Sequence, residues 1–98
     1  MSFTYRNEQL LCDKVEVAAI AAQIGTPFYL YSADALRANF GAYKTAFAQA
    51  DVTICFAVKS CSNIAVLKLL QARGAGADTV SGGEIRRALL AGIAPERI

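Results

Sequence analysis

The chain has 98 residues, 55% of them hydrophobic and 18% charged, with a formal net charge of +2, a balance typical of soluble globular sequences and unlike disordered, collagen-like or membrane-embedded ones. Its ten basic and eight acidic residues form no blocks, so no electrostatic footprint for nucleic acid or an anionic membrane stands out. No stretch approaches the roughly 20 apolar residues of a membrane span, and the start Met1-Ser2-Phe3-Thr4-Tyr5-Arg6 lacks the basic-then-apolar order of a signal peptide, so a cytoplasmic location is expected.

The loose alternation of Phe3 and Tyr5, followed by Leu10 and Leu11, predicts a short strand or hairpin. From there Val17, Ile20, Ala21 and Ile24 keep the spacing of one helix face, and Gly25 with Pro27 supplies a stop, giving a helix from about residue 14 to 24. Phe28-Tyr29-Leu30-Tyr31 is an aromatic strand candidate, and Ser32 is placed to cap a second helix. Leu36, Phe40, Tyr43 and Phe47 share one face of that helix. Its interior Gly41 costs about 1 kcal/mol relative to alanine, which tertiary packing can override.

Residues 52 to 58, Val-Thr-Ile-Cys-Phe-Ala-Val, form a nearly continuous run of β-formers, the pattern of a strand covered on both faces in a parallel sheet. Ser62 or Asn63 can cap the next helix, whose apolar residues Ile64, Leu67 and Leu70 keep helical spacing, with Arg73 in its last turn and Gly74 as terminator. Residues 77 to 80 are a further strand. Ser81-Gly82-Gly83 then leads into a helix from Glu84 to about Ala91, stopped by Gly92, and Pro95 opens the way to another element. Strand, helix, strand, helix indicates parallel βα units, in an α/β fold that could be an open doubly wound sheet or an eight-fold barrel. A barrel needs roughly 250 residues, so in that case the chain is a fragment.

Lys59 directly follows the most apolar strand and therefore stands at its C-terminal end, where parallel α/β folds build their sites. A desolvated lysine amine can form an imine with an aldehyde cofactor; the competing reading is a solvated lysine that merely ends a strand. Asp78 and Glu84 can approach it across adjacent strand ends, although Asp78 can equally satisfy loop amides and Glu84 suits a helix N-terminus whatever the site does. Ser81-Gly82-Gly83 is either a small phosphate-cradling turn or a tight turn with a capping serine. The three cysteines, Cys12, Cys55 and Cys61, form no Cys-x-x-Cys pair, and the chain has no histidine, so neither a disulfide framework nor a metal site is expected.

Taken together, Phe56-Ala57-Val58-Lys59-Ser60-Cys61-Ser62-Asn63 and the stretch from Gly74 to Glu84 resemble the cofactor-lysine and second-strand motifs of diaminopimelate decarboxylases. The start Phe3-x-Tyr5-x-Asn7-x-x-Leu10 and the segment Gly25-Thr26-Pro27-x-Tyr29-x-Tyr31 are similar to that family as well. The resemblance implies a pyridoxal-phosphate enzyme of fold type III, with an alanine-racemase-like (β/α)8 barrel, incomplete in this chain, joined to a β-domain in a homodimer. Residues 1–27 would then associate with the β-domain, and residues 28–98 would be the first βα units of the barrel.

Lys59 matches the family's Schiff-base lysine, and Asp78 and Glu84 match acidic positions that support the cofactor. Where the family often has Ala-Asn, this chain has Ser60-Cys61. The glycine-rich phosphate site, the partner of the pyridine nitrogen, the substrate-carboxylate arginines and a cysteine from the partner subunit would all lie outside residues 1 to 98. The implied reaction converts meso-2,6-diaminopimelate to L-lysine with loss of carbon dioxide. Ornithine or arginine is the alternative substrate within the class, and a non-catalytic fragment is the alternative outside it.

Overall fold

The computed structural model describes residues 2–98, which divide into a first unit ending at Ala38 and a second unit, Asn39–Ile98. In the first unit β1 (Phe3–Arg6), β2 (Gln9–Cys12) and β3 (Val15–Glu16) form an antiparallel meander. Asn7 and Glu8 turn the first hairpin with φ of 50° and 64°, the two left-handed residues that a type I′ turn requires. The predicted hairpin is therefore present, with a third strand added. Helix α1 (Val17–Ile24) begins three residues later than expected from the periodicity, because Val15 and Glu16 pair with Cys12 and Leu11 instead of entering the helix. Its Val17, Ile20 and Ala21 are half-buried, while Ile24 at its end remains exposed.

The aromatic segment 28–31 is neither helix nor strand. Its β-forming residues call for a neighbouring strand, and no sheet ladder among the described residues includes them. Ser32 does cap α2 (Ala33–Ala46): its Oγ accepts the N–H of Ala35 at 3.0 Å and its carbonyl that of Leu36 at 3.1 Å. The cap is itself held, since the Ser32 hydroxyl donates to Asp13 Oδ1 at 2.5 Å and the same carboxylate accepts the N–H of Asp34 at 3.4 Å. Of the predicted apolar stripe only Phe40 is buried; Tyr43 is exposed, and Phe47 falls just beyond the end of the helix.

The second unit contains β4 (Cys55–Ala57), a 3-10 turn (Val58–Ser60), α3 (Ile64–Ala72), β5 (Gly76–Asp78), α4 (Gly82–Leu90) and a last 3-10 turn (Pro95–Arg97). Strands β4 and β5 are parallel, with Cys55 opposite Gly76, Phe56 opposite Ala77 and Ala57 opposite Asp78. The two βα units expected from the sequence are thus formed, but the strands are shorter than the apolar runs suggested. Only residues facing a partner across the ladder become strand, so Val52 at the head of the run stays exposed and Val58 at its tail enters the 3-10 turn. Strand β5 likewise lies at 76–78, one residue ahead of the expected start, and ends before Thr79 and Val80.

Asn63 caps α3 by accepting the N–H groups of Ala65 at 2.9 Å and Val66 at 3.3 Å, and Ser81 caps α4. Helix α4 starts two residues before Glu84, since Gly82 and Gly83 adopt helical backbone once Ser81 supplies the cap. Both helices end in the same double hydrogen bond. Gly74, at φ 98°, donates to Gln71 while Ala75 donates to Leu70; Gly92, at φ 94°, donates to Leu89 while Ile93 donates to Ala88. These are Schellman ends, and they require a residue that tolerates positive φ. Between the helices and the sheet lies a small core of Val58, Leu67, Ala77, Ala88, Ala91 and Ile93, flanked by Phe56, Ile64 and Ile98. Val58, Leu67 and Ala88 are fully buried in it.

Candidate functional site

Because β4 and β5 run in the same direction, their C-terminal ends lie along one edge, and the three residues singled out from the sequence stand at that edge: Lys59 in the 3-10 turn after β4, Asp78 at the end of β5 and Glu84 in the first turn of α4. The fully buried side chain of Val58 pins the start of the first loop into the core. Lys59 follows it in the 3-10 turn and is exposed; its amine takes part in no hydrogen bond or ion pair among the described residues. The turn is closed locally, the Ser60 hydroxyl donating to the carbonyl of Ala57 at 2.7 Å and the N–H of Cys61 to that of Val58 at 3.1 Å.

Asp78 is the last residue of β5, opposite Ala57, and is exposed. It therefore lies one strand away from the base of the Lys59 turn, but the two side chains are not joined. Glu84, half-buried in the first turn of α4, has a partner already. Its Oε1 accepts the N–H of Val80 at 3.0 Å while its own N–H donates to Ser81 Oγ at 3.2 Å. This is a reciprocal cap closely related to the capping box, with the carboxylate reaching one residue further back than usual. The helix-terminus role weighed for Glu84 is thus the one its contacts describe, and it holds α4 rather than Lys59. A Cβ added at Gly82 would meet nothing within 4 Å, so the Ser81-Gly82-Gly83 turn leaves the helix N-terminus open.

One contact at this edge carried no signal in the sequence. Arg87, in the middle of α4, donates to the carbonyl of Ser62 at 3.1 Å and so crosses from one loop-bearing unit to the other. An arginine at mid-helix reads as solvated surface until the fold brings a carbonyl within reach. The opposite end of the strands has different chemistry. A cavity of about 300 Å³ is lined there by Phe40, Lys44, Val52, Thr53, Ile54, Gly74 and Arg97. Its two cations are spent on the end of α3, Lys44 donating to the carbonyl of Arg73 at 3.2 Å and Arg97 to that of Gly74. Both interactions complement the negative end of a helix.

Comparison with known proteins places this edge in a family. Residues 33–98 match the family described as pyridoxal-dependent decarboxylase, pyridoxal binding domain. The chain belongs to that family. Among its decarboxylase relatives, the diaminopimelate decarboxylase of Aquifex aeolicus is 47% identical over 94 residues, 96% of this chain and 22% of that protein. The Haemophilus influenzae diaminopimelate decarboxylase is 44% identical over 90 residues, 92% of this chain and 22% of its own length. The structure of the M. jannaschii diaminopimelate decarboxylase in complex with L-lysine superposes with a TM-score of 0.88 at 28% identity, covering 94% of this chain and 23% of that one. The chain therefore spans between a fifth and a quarter of the length of these decarboxylases.

The family's cofactor bears an aldehyde and a phosphate, and the residues present fit the first of these. Lys59 is exposed rather than desolvated, as in the competing reading of the sequence, but its amine has no partner among the described residues and its neighbour Val58 is fixed in the core, so an aldehyde carbon can reach it.

Proposed function

We propose that Lys59 is the covalent anchor for pyridoxal phosphate and that the whole protein decarboxylates meso-2,6-diaminopimelate to L-lysine. The observation that carries this reading is the position of an exposed lysine, without a partner among the described residues, at the C-terminal edge of two parallel strands, inside a domain whose family is named for pyridoxal binding. The substrate follows from the relatives, named diaminopimelate decarboxylases, and from the L-lysine held in the M. jannaschii structure. When bound, pyridoxal phosphate supplies the electron sink that makes loss of an α-carboxylate feasible.

Within this reading each residue of the edge has a task. Lys59 would hold the cofactor through its amine. Val58 keeps the base of the turn from moving, Asp78 adds negative charge beside the site, and Glu84 fixes the start of α4 next to it. Residues 28–98 supply the first βα units of a (β/α)8 barrel of fold type III, and residues 1–27 accompany the β-domain. The protein acts as a cytoplasmic homodimer.

The test uses the full-length protein. After addition of pyridoxal phosphate and reduction with borohydride, peptide mass mapping is expected to find the adduct on Lys59. An adduct spread equally over Lys14, Lys44 and Lys68 would remove the assignment. Carbon dioxide released from ornithine but not from diaminopimelate would overturn the substrate.

A further inference from the structure

We infer that Arg87 is a positioning residue for Lys59: by holding the Ser62 carbonyl it fixes the loop that presents the amine. The inference rests on the reading of Lys59 as the cofactor anchor. Lys59 is exposed and makes no side-chain hydrogen bond or ion pair among the described residues, so the backbone decides where its side chain starts. That backbone is held at one end by buried Val58 and at the other by Asn63 at the head of α3, while residues 61–63 between them have no regular structure. The remaining hydrogen bonds of residues 59–63 among the described residues close locally, within the turn or onto the first turns of α3. The bond from Arg87 is the exception. It spans 25 positions in sequence and joins the loop to a different helix.

The helix that carries Arg87 is suited to act as a fixed reference. The next residue, Ala88, is fully buried, the Ser81–Glu84 cap secures one end, and the Gly92 Schellman motif secures the other. Helix α4 also packs against the 3-10 turn and against α3. Glu84 and Arg87, one helical turn apart, give α4 two functions at the edge: one holds its own start, the other holds the neighbouring loop. A group placed by a rigid element is held more closely than one on a free loop, and an error of an ångström at a reacting amine is costly.

The test compares wild-type full-length protein with Arg87→Met, which keeps much of the aliphatic stem but removes the donors, and with Arg87→Lys, which keeps one. In the cofactor-free protein, hydrogen exchange of the Cys61 amide, which donates to the Val58 carbonyl, is expected to quicken about ten-fold in Arg87→Met while the amides of α4 keep their protection. Attachment of pyridoxal phosphate to Lys59, followed by borohydride trapping, is expected to slow roughly ten-fold in the same variant and to recover in Arg87→Lys. Unchanged exchange in the loop would overturn the inference. So would a loss of protection in α4 as large as in the loop, since Arg87 would then serve the helix and not the lysine. The exchange arm needs no cofactor, so an adduct on another lysine would defeat the Lys59 assignment without deciding whether Arg87 fixes the loop.

Discussion

Gly76 and Gly41 show how differently two glycines can be used. A Cβ at Gly76 would come within 2.6 Å of the Arg97 carbonyl oxygen and 2.8 Å of Cys55 Sγ, so the last 3-10 turn can lie on β5 only where there is no side chain. At Gly41 a Cβ would meet nothing within 4 Å, in a helix whose backbone any residue adopts. Gly76→Ala is expected to lower stability by about 1–3 kcal/mol, and Gly41→Ala to raise it by about 0.5–1 kcal/mol. Denaturant unfolding of the two variants against wild type reads both signs. The helical cost of Gly41 was legible in the sequence; the need for Gly76 was not, because it arises from residues more than twenty positions away.

Cys12 is buried close to two carboxylates. Burial, together with the nearby carboxylates of Asp13 and Asp34, pushes its thiol above the ordinary value of 9.0. The neutral thiol thus contributes stability that is fully present below 9.0 and is lost as the pH rises through the raised folded value. At neutral pH a thiol reagent is expected to label exposed Cys55 first, half-buried Cys61 next and buried Cys12 last. Labelling of Cys12 ahead of Cys55 would contradict its burial.

Among the elements, the helices were the most legible, since capping and termination are written within a few residues. Ser32, Asn63 and Ser81 all cap, and Gly74 and Gly92 terminate. Strand limits were not, because a strand ends where its ladder partner ends. Hence the seven-residue run from Val52 yields only Cys55–Ala57, and residues 28–31 yield no strand. At the candidate site the sequence located Lys59, Asp78 and Glu84 on one edge, but it could not show that Glu84 is occupied by Val80 or that Arg87 reaches Ser62. The cap also offers a way to separate two roles. Glu84→Gln keeps an acceptor for the Val80 N–H and is expected to cost little stability, whereas Glu84→Ala is expected to cost about 0.5–2 kcal/mol. If Glu84 also supports the cofactor through its charge, decarboxylation by the full-length Gln variant falls while its melting temperature holds.

At the scale of the whole molecule the second unit is unfinished on its outer faces. Its sheet has two strands, and Val80, Ile85, Leu89 and Leu90 are exposed. Two-stranded sheets with open edges and uncovered apolar residues tend to associate. The 98-residue chain alone is therefore expected to self-associate as its concentration rises, as sedimentation would show, and to release no carbon dioxide from diaminopimelate. Turnover by a purified monomer of this length would show the site to be more nearly complete than its loops suggest.

The spacing of the two βα units bears on how Lys59 is presented. Helices α3 and α4 are each nine residues long and end in the same way, yet six residues separate β4 from α3 whereas three separate β5 from α4. The difference matches the length of the 3-10 turn Val58–Ser60. All of the added length lies past the strand end, outside the register that pairs β4 with β5. The turn works as a short boom: its foot, Val58, is set in the core, and its next residue carries the lysine past the end of the sheet.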